Sequence, residues 1–130
     1  MLRQRTVNSG GRLLDIVRLA IDAHADTRLT NRFGGISLIP AAERGHVEIV
    51  RELLTRSDVQ VNHVNNLRWT ALLEAIILGE GGLAHQQIVQ LLVNLGADVH
   101  LADKDGVTPL EHARRRGFIA IASTLTKAGA

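Results

Sequence analysis

Histidines are the residues in this chain that could bind a metal ion or transfer protons. There are six of them in 130 residues, and no cysteine accompanies them. Their spacing contains neither an H-x-x-x-H nor an H-E-x-x-H pair, and no carboxylates cluster at the spacing of metal ligands. We therefore expect no metal site and no cofactor. The histidines are His24, His46, His63, His85, His100 and His112.

Nucleophilic catalysis has equally little support in the sequence. The four serines, Ser9, Ser37, Ser57 and Ser123, do not stand in a nucleophile-elbow motif. The glycine-rich stretch GEGG at 79–82 lacks the Gly-Lys-Ser/Thr of a phosphate-binding loop. We interpret that stretch as a flexible insertion at one edge of the molecule, where it could contact a partner. The chain is therefore not expected to be an enzyme.

The densest run of charge is ARRRG at 113–117. A solvated helix end explains it, because arginines near a helix C-terminus interact favourably with the helix dipole. An acidic partner surface would be the functional alternative. Nucleic acid is a weaker option, since no aromatic platform for base stacking accompanies the run.

Length and composition favour one helical domain. Hydrophobic residues make up 45% of the chain, but three residues alone are aromatic. The core must use Leu, Ile, Val and Ala, which suits thin stacked helices. The start, MLRQRTVNSGG, has no apolar segment typical of a signal peptide, and the run ALLEAIILG is too short to span a membrane. We expect a cytoplasmic protein, although export of related proteins leaves a second compartment open.

One plan recurs along the sequence. After Asp103 the chain contains, in order, a Gly, Thr-Pro-Leu, an Ala, a second Gly, an Ile and a Leu. Earlier segments repeat this order. The interval is 33 residues from Ile16 to Ile49 and from Ile88 to Ile121, and 39 between Ile49 and Ile88. Each unit predicts two short helices, opened by Thr-Pro and ended by Gly. Such units are stable when stacked, so the second helices 46–56, 86–95 and 118–127 should lie in a row.

Three stretches resemble ankyrin repeats: DGVTPLEHARRRG, GADVHLAD and AAERGHVEIVRELL. The resemblance is strongest to stand-alone bacterial ankyrin proteins. It implies an all-α solenoid of helix-turn-helix units joined by short β-hairpin connectors. The single domain 1–130 would hold about three and a half repeats: a divergent segment 1–12, a partial repeat 13–30, repeats 31–64 and 65–102, and a C-terminal capping repeat 103–130. The repeat 65–102 would carry the insertion 79–87.

The chain departs from the family pattern at several positions. Arg68 replaces the connector Gly, and Ile36-Ser37 replaces Thr-Pro, so the first hairpin should be looser. The helix within 13–30 is apolar on more than one face. We expect residues 2–9 to fold back over its outer face and the protein to be a monomer. The alternative is a homodimer through that helix.

By resemblance, the function is recognition of another protein through hairpin tips and the exposed ends of the first helices. Phe33 and Trp69 fall in connectors, and aromatic residues are enriched among interface hot spots; packing against a neighbouring hairpin is the alternative for both. Binding of nucleic acid or an anionic surface through Arg114, Arg115 and Arg116 is the competing function. The expected partner-binding residues are Arg32, Phe33, Glu43, Arg44, Asn66, Leu67, Trp69, Ile77, Leu78, Lys104, Asp105, Val107, Arg115 and Arg116.

Overall fold

The computed structural model describes residues 9–22 and 38–130. Seven helices and no strand are found within these residues. The first hairpin, with Arg32 and Phe33, and the expected cover formed by residues 2–9 lie outside the described part, apart from Ser9. The helices are α1 (Ser9–Asp22), α2 (Leu38–Glu43), α3 (Val47–Arg56), α4 (Ala71–Ile77), α5 (Leu83–Asn94), α6 (Pro109–Arg115) and α7 (Ile119–Lys127).

The helices form two layers. Helices α2, α4 and α6 pack side by side in one row, and α1, α3, α5 and α7 pack in a second row. Within each unit the first helix packs on the second, as α2 does on α3, α4 on α5 and α6 on α7. This arrangement confirms the predicted all-α solenoid and the row formed by its second helices.

The core lies between the two rows. It is aliphatic, as the composition predicts, and its largest members are almost fully buried. Ala42, Ala75 and Ala113 are each 0% exposed, so small side chains face the core on all three first-row helices. Since α2, α4 and α6 have at most seven residues each, their stability depends on this packing more than on helix propensity. The large buried residues are Leu38, Val50, Leu72, Leu73, Ile76, Ile88, Val89, Leu92, Ile121 and Leu125.

Helices α4 and α6 begin where capping residues in the sequence indicate a helix start. The hydroxyl of Thr70 accepts a hydrogen bond from the Leu73 amide, and that of Thr108 accepts one from the Glu111 amide, each at 3.2 Å. Pro109 follows Thr108 in the first turn of α6. These capping bonds satisfy amide groups that have no partner within their helix.

The connectors are tight hairpin turns. In the middle unit the Asn65 amide donates to the Trp69 carbonyl and the Arg68 amide donates to the Asn65 carbonyl, both at 3.0 Å. In the last unit the amides of Asp103 and Gly106 make the same two bonds at 3.0 Å. Each hairpin is thus closed by one pair of bonds, which is too short a ladder for a strand.

The fourth residue of each turn has a left-handed backbone. Gly106 has φ +80° and Arg68, at the matching position, has φ +66°. The Cβ of an L-residue is strained there. We expect Arg68→Gly to raise the free energy of unfolding by about 1 kcal/mol, measured by urea denaturation.

Gly106→Ala provides the matched control. A Cβ at Gly106 would meet no atom within 4 Å, so its cost comes from the backbone alone. We expect that variant to lose about 1 kcal/mol. A destabilised Arg68→Gly protein would show that the Arg68 side chain contributes more than its backbone strain costs.

A network of charged side chains connects α1 to α3. Glu52 of α3 pairs with Arg18 of α1 at 3.3 Å and with Arg56 at 2.9 Å, and Arg56 also pairs with Asp22. In the same helix, Ile16 and Leu19 are exposed among the described residues. A monomer with this face covered therefore stays a prediction.

Candidate functional site

The tip of the middle connector is held rigidly by Asn65. Its side chain is buried, and its Oδ1 accepts bonds from the amides of Leu67 at 2.9 Å and Trp69 at 3.0 Å. Its Nδ2 donates to Glu74 Oε2 at 3.1 Å, which joins the connector to α4. Asn66 and Leu67 are left exposed at the tip. The surface that they form is consequently ordered in advance of any binding.

Asp103 takes the equivalent place in the last connector. Its Oδ1 accepts bonds from the amides of Asp105 at 2.9 Å and Val107 at 3.0 Å, and its Oδ2 accepts a 2.8 Å bond from His112 Nε2. Burial opposes ionisation of Asp103, but the bonds from His112 and from the two amides outweigh it and lower its pKa. The exposed tip carries Lys104 and Asp105.

These two polar pairs were not identified from the sequence. Asn65 and Glu74, like Asp103 and His112, are nine positions apart, and they occupy matching places in the two units. Aligning the units by their Thr residues would have revealed the pattern. His112, one of the six histidines, orients the last connector through its bond to Asp103.

Glu74 is a buried carboxyl on α4. It is 4% exposed, and desolvation raises its pKa, with Glu43 on α2 adding to the effect while the Asn65 bond opposes it. A raised pKa in the folded protein means that this group stabilises the fold most at low pH. That contribution is lost as the pH rises from the unfolded value of the pKa through the folded one.

We expect Glu74→Gln to be more stable than the wild type at neutral pH. The amide oxygen of Gln can still accept the Asn65 bond, and no charge is buried. The advantage should shrink as the pH falls through the raised pKa of folded Glu74 toward the ordinary glutamate value, and should be constant below that value. Thermal melts across pH 3 to 8 measure this change, using Glu80→Gln, an exposed site, as the control. A constant difference between variant and wild type across that range would contradict the assignment.

Most of the predicted partner-binding residues lie on the connector tips and on the C-terminal ends of the first-row helices. In the middle unit, Leu67 is 49% and Leu78 is 47% exposed. The seven-residue helix α4, about 10 Å long at 1.5 Å per residue, lies between them in the chain. Asn66, Arg44, Lys104, Asp105, Arg115 and Arg116 are exposed, and Glu43, Trp69, Ile77 and Val107 are half-buried.

Arg116 differs from the other predicted surface residues. Its Nη1 donates to the carbonyls of Ile76 at 2.9 Å, Ile77 at 2.6 Å and Gly79 at 2.7 Å. Its guanidinium also lies 4.6 Å from the centre of the Phe118 ring. It thus caps the C-terminus of α4 in the preceding unit, where a cation is favoured by the helix dipole. Because its Nη1 is held by these bonds, Arg116 has fewer hydrogen-bond donors left for a partner.

The insertion, which the sequence predicts to be flexible, makes several side-chain hydrogen bonds. Residues from Leu83 onward form an added turn at the start of α5, and 79–82 bridge it to α4. His85 Nδ1 accepts a bond from the Glu80 amide at 3.3 Å, so its Nε2 carries the proton and donates to the Glu43 carbonyl at 2.7 Å. The Gln86 side chain donates to the Gly81 carbonyl at 3.1 Å. The insertion is therefore tied to the units on both sides of it.

The described residues offer surfaces for contact more than groups for chemistry. No three of their His, Asp or Glu side chains come together as a metal site would require. His85 and His112 are both engaged in bonds that hold connectors or turns. Among the same residues, no helix has the length and apolar character to cross a lipid bilayer.

Comparison with known proteins agrees with the fold. The family model for ankyrin repeats, in three copies, matches residues 5–103. The ankyrin repeat protein YahD of Escherichia coli K12 is 51% identical over 117 residues, which are 90% of this chain and 58% of YahD.

Two solved structures are similar as well. An ankyrin repeat domain from Acinetobacter baumannii AYE is 57% identical with a TM-score of 0.89, over 95% of this chain and 63% of that one. The ankyrin repeat protein EF0377 is 37% identical with a TM-score of 0.83, over 88% and 58% of the two chains. This chain thus spans about three fifths of the length of these relatives. With its two helical rows and hairpin turns, it belongs to the ankyrin repeat family, whose members generally bind other proteins and serve as non-catalytic scaffolds.

Proposed function

We propose that this chain binds a partner protein, without catalysis, through its connector tips and the exposed ends of its first-row helices. The observation that supports this proposal is the exposure of Leu67 and Leu78, with half-buried Trp69 and Ile77 between them, in the central unit. Apolar side chains of this size at the centre of a surface are typical of interface anchors. We call these four residues the central patch.

Charged residues border the central patch on both sides. Glu43 and Arg44 stand at the end of α2, and Lys104, Asp105 and Arg115 belong to the last unit, where Val107 is half-buried. A polar rim around an apolar centre excludes water from the anchor residues and selects the partner by charge. Arg32 and Phe33, which lie outside the described residues, stay predicted members of the surface by family resemblance. Arg116 is omitted because of its bonds to α4.

Trp69→Ala tests this surface. We expect binding to weaken by about 2 kcal/mol, because a large aromatic anchor is lost, while the melting temperature stays close to that of the wild type. The wild-type protein would first capture its partner from a lysate of the source cell. Calorimetry with the purified partner would then compare Trp69→Ala with Gln87→Ala, an exposed control on α5.

The two possible roles of Trp69 give opposite results. Unchanged affinity with a lowered melting temperature would mean that Trp69 packs against its own connector and is no anchor. Loss of affinity in the Gln87→Ala control would place the interface on the second row of helices instead.

Binding of nucleic acid or an anionic surface through Arg114, Arg115 and Arg116 has less support. Arg115 pairs with Glu111 at 3.0 Å, and Arg116 donates to three carbonyls, so two of the three guanidinium groups are engaged. Phosphate binding weakens steeply as salt is added, whereas an apolar-centred interface does not. A salt titration of the captured complex separates the two functions.

A further inference from the structure

Arg68 stands in the middle connector between two members of the central patch, Leu67 and Trp69. Its backbone is left-handed, with φ +66°, whereas the matching turn of the last unit uses Gly106. An arginine is strained in this conformation and a glycine is not. Residues held in sparsely populated backbone conformations concentrate at functional sites. The choice of Arg at this position therefore points to a role for its side chain that the turn itself does not require.

The Arg68 side chain is exposed and unpaired. Within the described part of the chain, its guanidinium forms no hydrogen bond or ion pair. Arg68 is the single Lys, Arg, Asp or Glu in the stretch 59–73, and the stretch 27–37 contains two arginines and no carboxylate. Glu74, which follows the first of these stretches, is buried and bonded to Asn65. The positive charge of Arg68 is therefore not neutralised by a carboxylate of its own connector.

The turn holds the backbone of Arg68 in place. The Arg68 amide donates to the Asn65 carbonyl at 3.0 Å. Asn65 Oδ1 accepts bonds from the amides on either side of Arg68, those of Leu67 at 2.9 Å and Trp69 at 3.0 Å. Binding through a backbone that is already ordered loses less conformational entropy. The connector thus offers a cation between two apolar side chains on a preformed support.

We propose that Arg68 is a partner-binding residue, and that it pairs with a carboxylate of a partner protein whose neighbouring apolar side chain packs on the central patch. The pairing rests on the proposed function, because it places the partner on that patch. It also defines the chemistry of the partner, which must carry an acidic residue beside a large apolar one.

The surroundings of Arg68 favour a carboxylate of a protein over other anions. A guanidinium binds a carboxylate through two parallel hydrogen bonds, and apolar neighbours that exclude water strengthen this pair. Binding to a nucleic acid draws on several cations that together neutralise successive phosphates. The middle connector supplies one cation within an apolar surface, which matches a single acidic side chain.

The test uses a phage-displayed library of short random peptides that lack Trp, selected on the immobilised full chain. Trp69 is the single tryptophan of the chain, so its fluorescence reports peptides that bind at the central patch. We expect these peptides to carry Asp or Glu beside a large apolar residue. In calorimetry, Arg68→Gly should weaken their binding about tenfold and remove most of its dependence on salt.

Two further variants keep the result specific. Since Arg68→Gly is expected to be more stable than the wild type, weaker binding by this variant cannot come from unfolding. Arg68→Lys keeps the charge but not the paired hydrogen bonds, and it should bind the peptides with intermediate affinity. Arg114→Ala removes an exposed guanidinium from α6 and should bind them normally.

The outcomes distinguish the role of Arg68 from that of the central patch. Peptides that change Trp69 fluorescence but bind the wild type and Arg68→Gly equally would overturn the pairing and leave the patch as an interface. Selected peptides without an acidic residue would do the same. Tighter binding of a single-stranded oligonucleotide than of any peptide would also overturn the pairing. If no peptide changes Trp69 fluorescence, the proposed surface fails and the pairing fails with it.

Discussion

Arg116→Ala is expected to lower the free energy of unfolding by about 3 kcal/mol, although Arg116 is an exposed residue. Hydrogen bonds to a charged group contribute roughly 1.5 to 3 kcal/mol each, and three of them share one Nη1 atom, so their effects do not add fully. The contact with the Phe118 ring adds about 0.5 to 1 kcal/mol. Urea denaturation measures the loss, which should come with faster amide exchange at Glu80.

Arg115→Ala is the matched control for this prediction. It removes the neighbouring guanidinium, whose pair with Glu111 is exposed, and exposed pairs contribute about 0 to 1 kcal/mol. Arg116→Lys, which keeps a positive charge near the end of α4, should fall between the wild type and Arg116→Ala. Equal stabilities for Arg115→Ala and Arg116→Ala would mean that the bonds to α4 contribute nothing to the fold.

The repeats were predictable because their signals are local. Thr108-Pro109 and Gly117 are, respectively, preferred where a helix begins and where it ends. Ile49, Ile88 and Ile121 are all buried on the second row, as their recurrence along the chain predicts. Two rows of helices follow, since no unit can bury both of its sides by itself.

The bonds between units were not predictable, because they join residues far apart in the sequence. Arg116 reaches carbonyls 37 to 40 positions earlier, and His85 reaches one 42 positions earlier. In the sequence, Arg114, Arg115 and Arg116 form one basic run. The fold gives them three different environments: Arg114 is exposed, Arg115 forms an ion pair on α6, and Arg116 binds the end of α4.

The candidate surface was predictable in part. Family resemblance directs attention to the connector tips, and Leu67 and Leu78 are indeed exposed. It does not say how firmly the tips are held, which depends on Asn65 and Asp103 and their partners on the following helices.

Gly79→Ala is expected to lower the free energy of unfolding by about 3 kcal/mol, because the turn at the end of α4 has no room for a methyl group. A Cβ at this position would lie 2.1 Å from the Ala75 carbonyl oxygen and 2.5 Å from the His85 ring. The oxygen belongs to the backbone of α4 and cannot move without distorting that helix. Displacing the ring would also break the His85 bonds to Glu43 and Glu80. Thermal and urea denaturation both measure the change.

Gly82→Ala separates this crowding from the loss of glycine as such. Gly82 lies in the same insertion with φ −79°, and a Cβ there would meet nothing within 4 Å, so its stability should match the wild type. The double variant Gly79→Ala with His85→Ala relieves the clash with the ring and leaves the clash with the backbone oxygen. We therefore expect it to remain unstable, with an interaction free energy between the two sites of about 1 kcal/mol. A Gly79→Ala protein as stable as Gly82→Ala would mean that the insertion adjusts freely and does not fix α5 against α4.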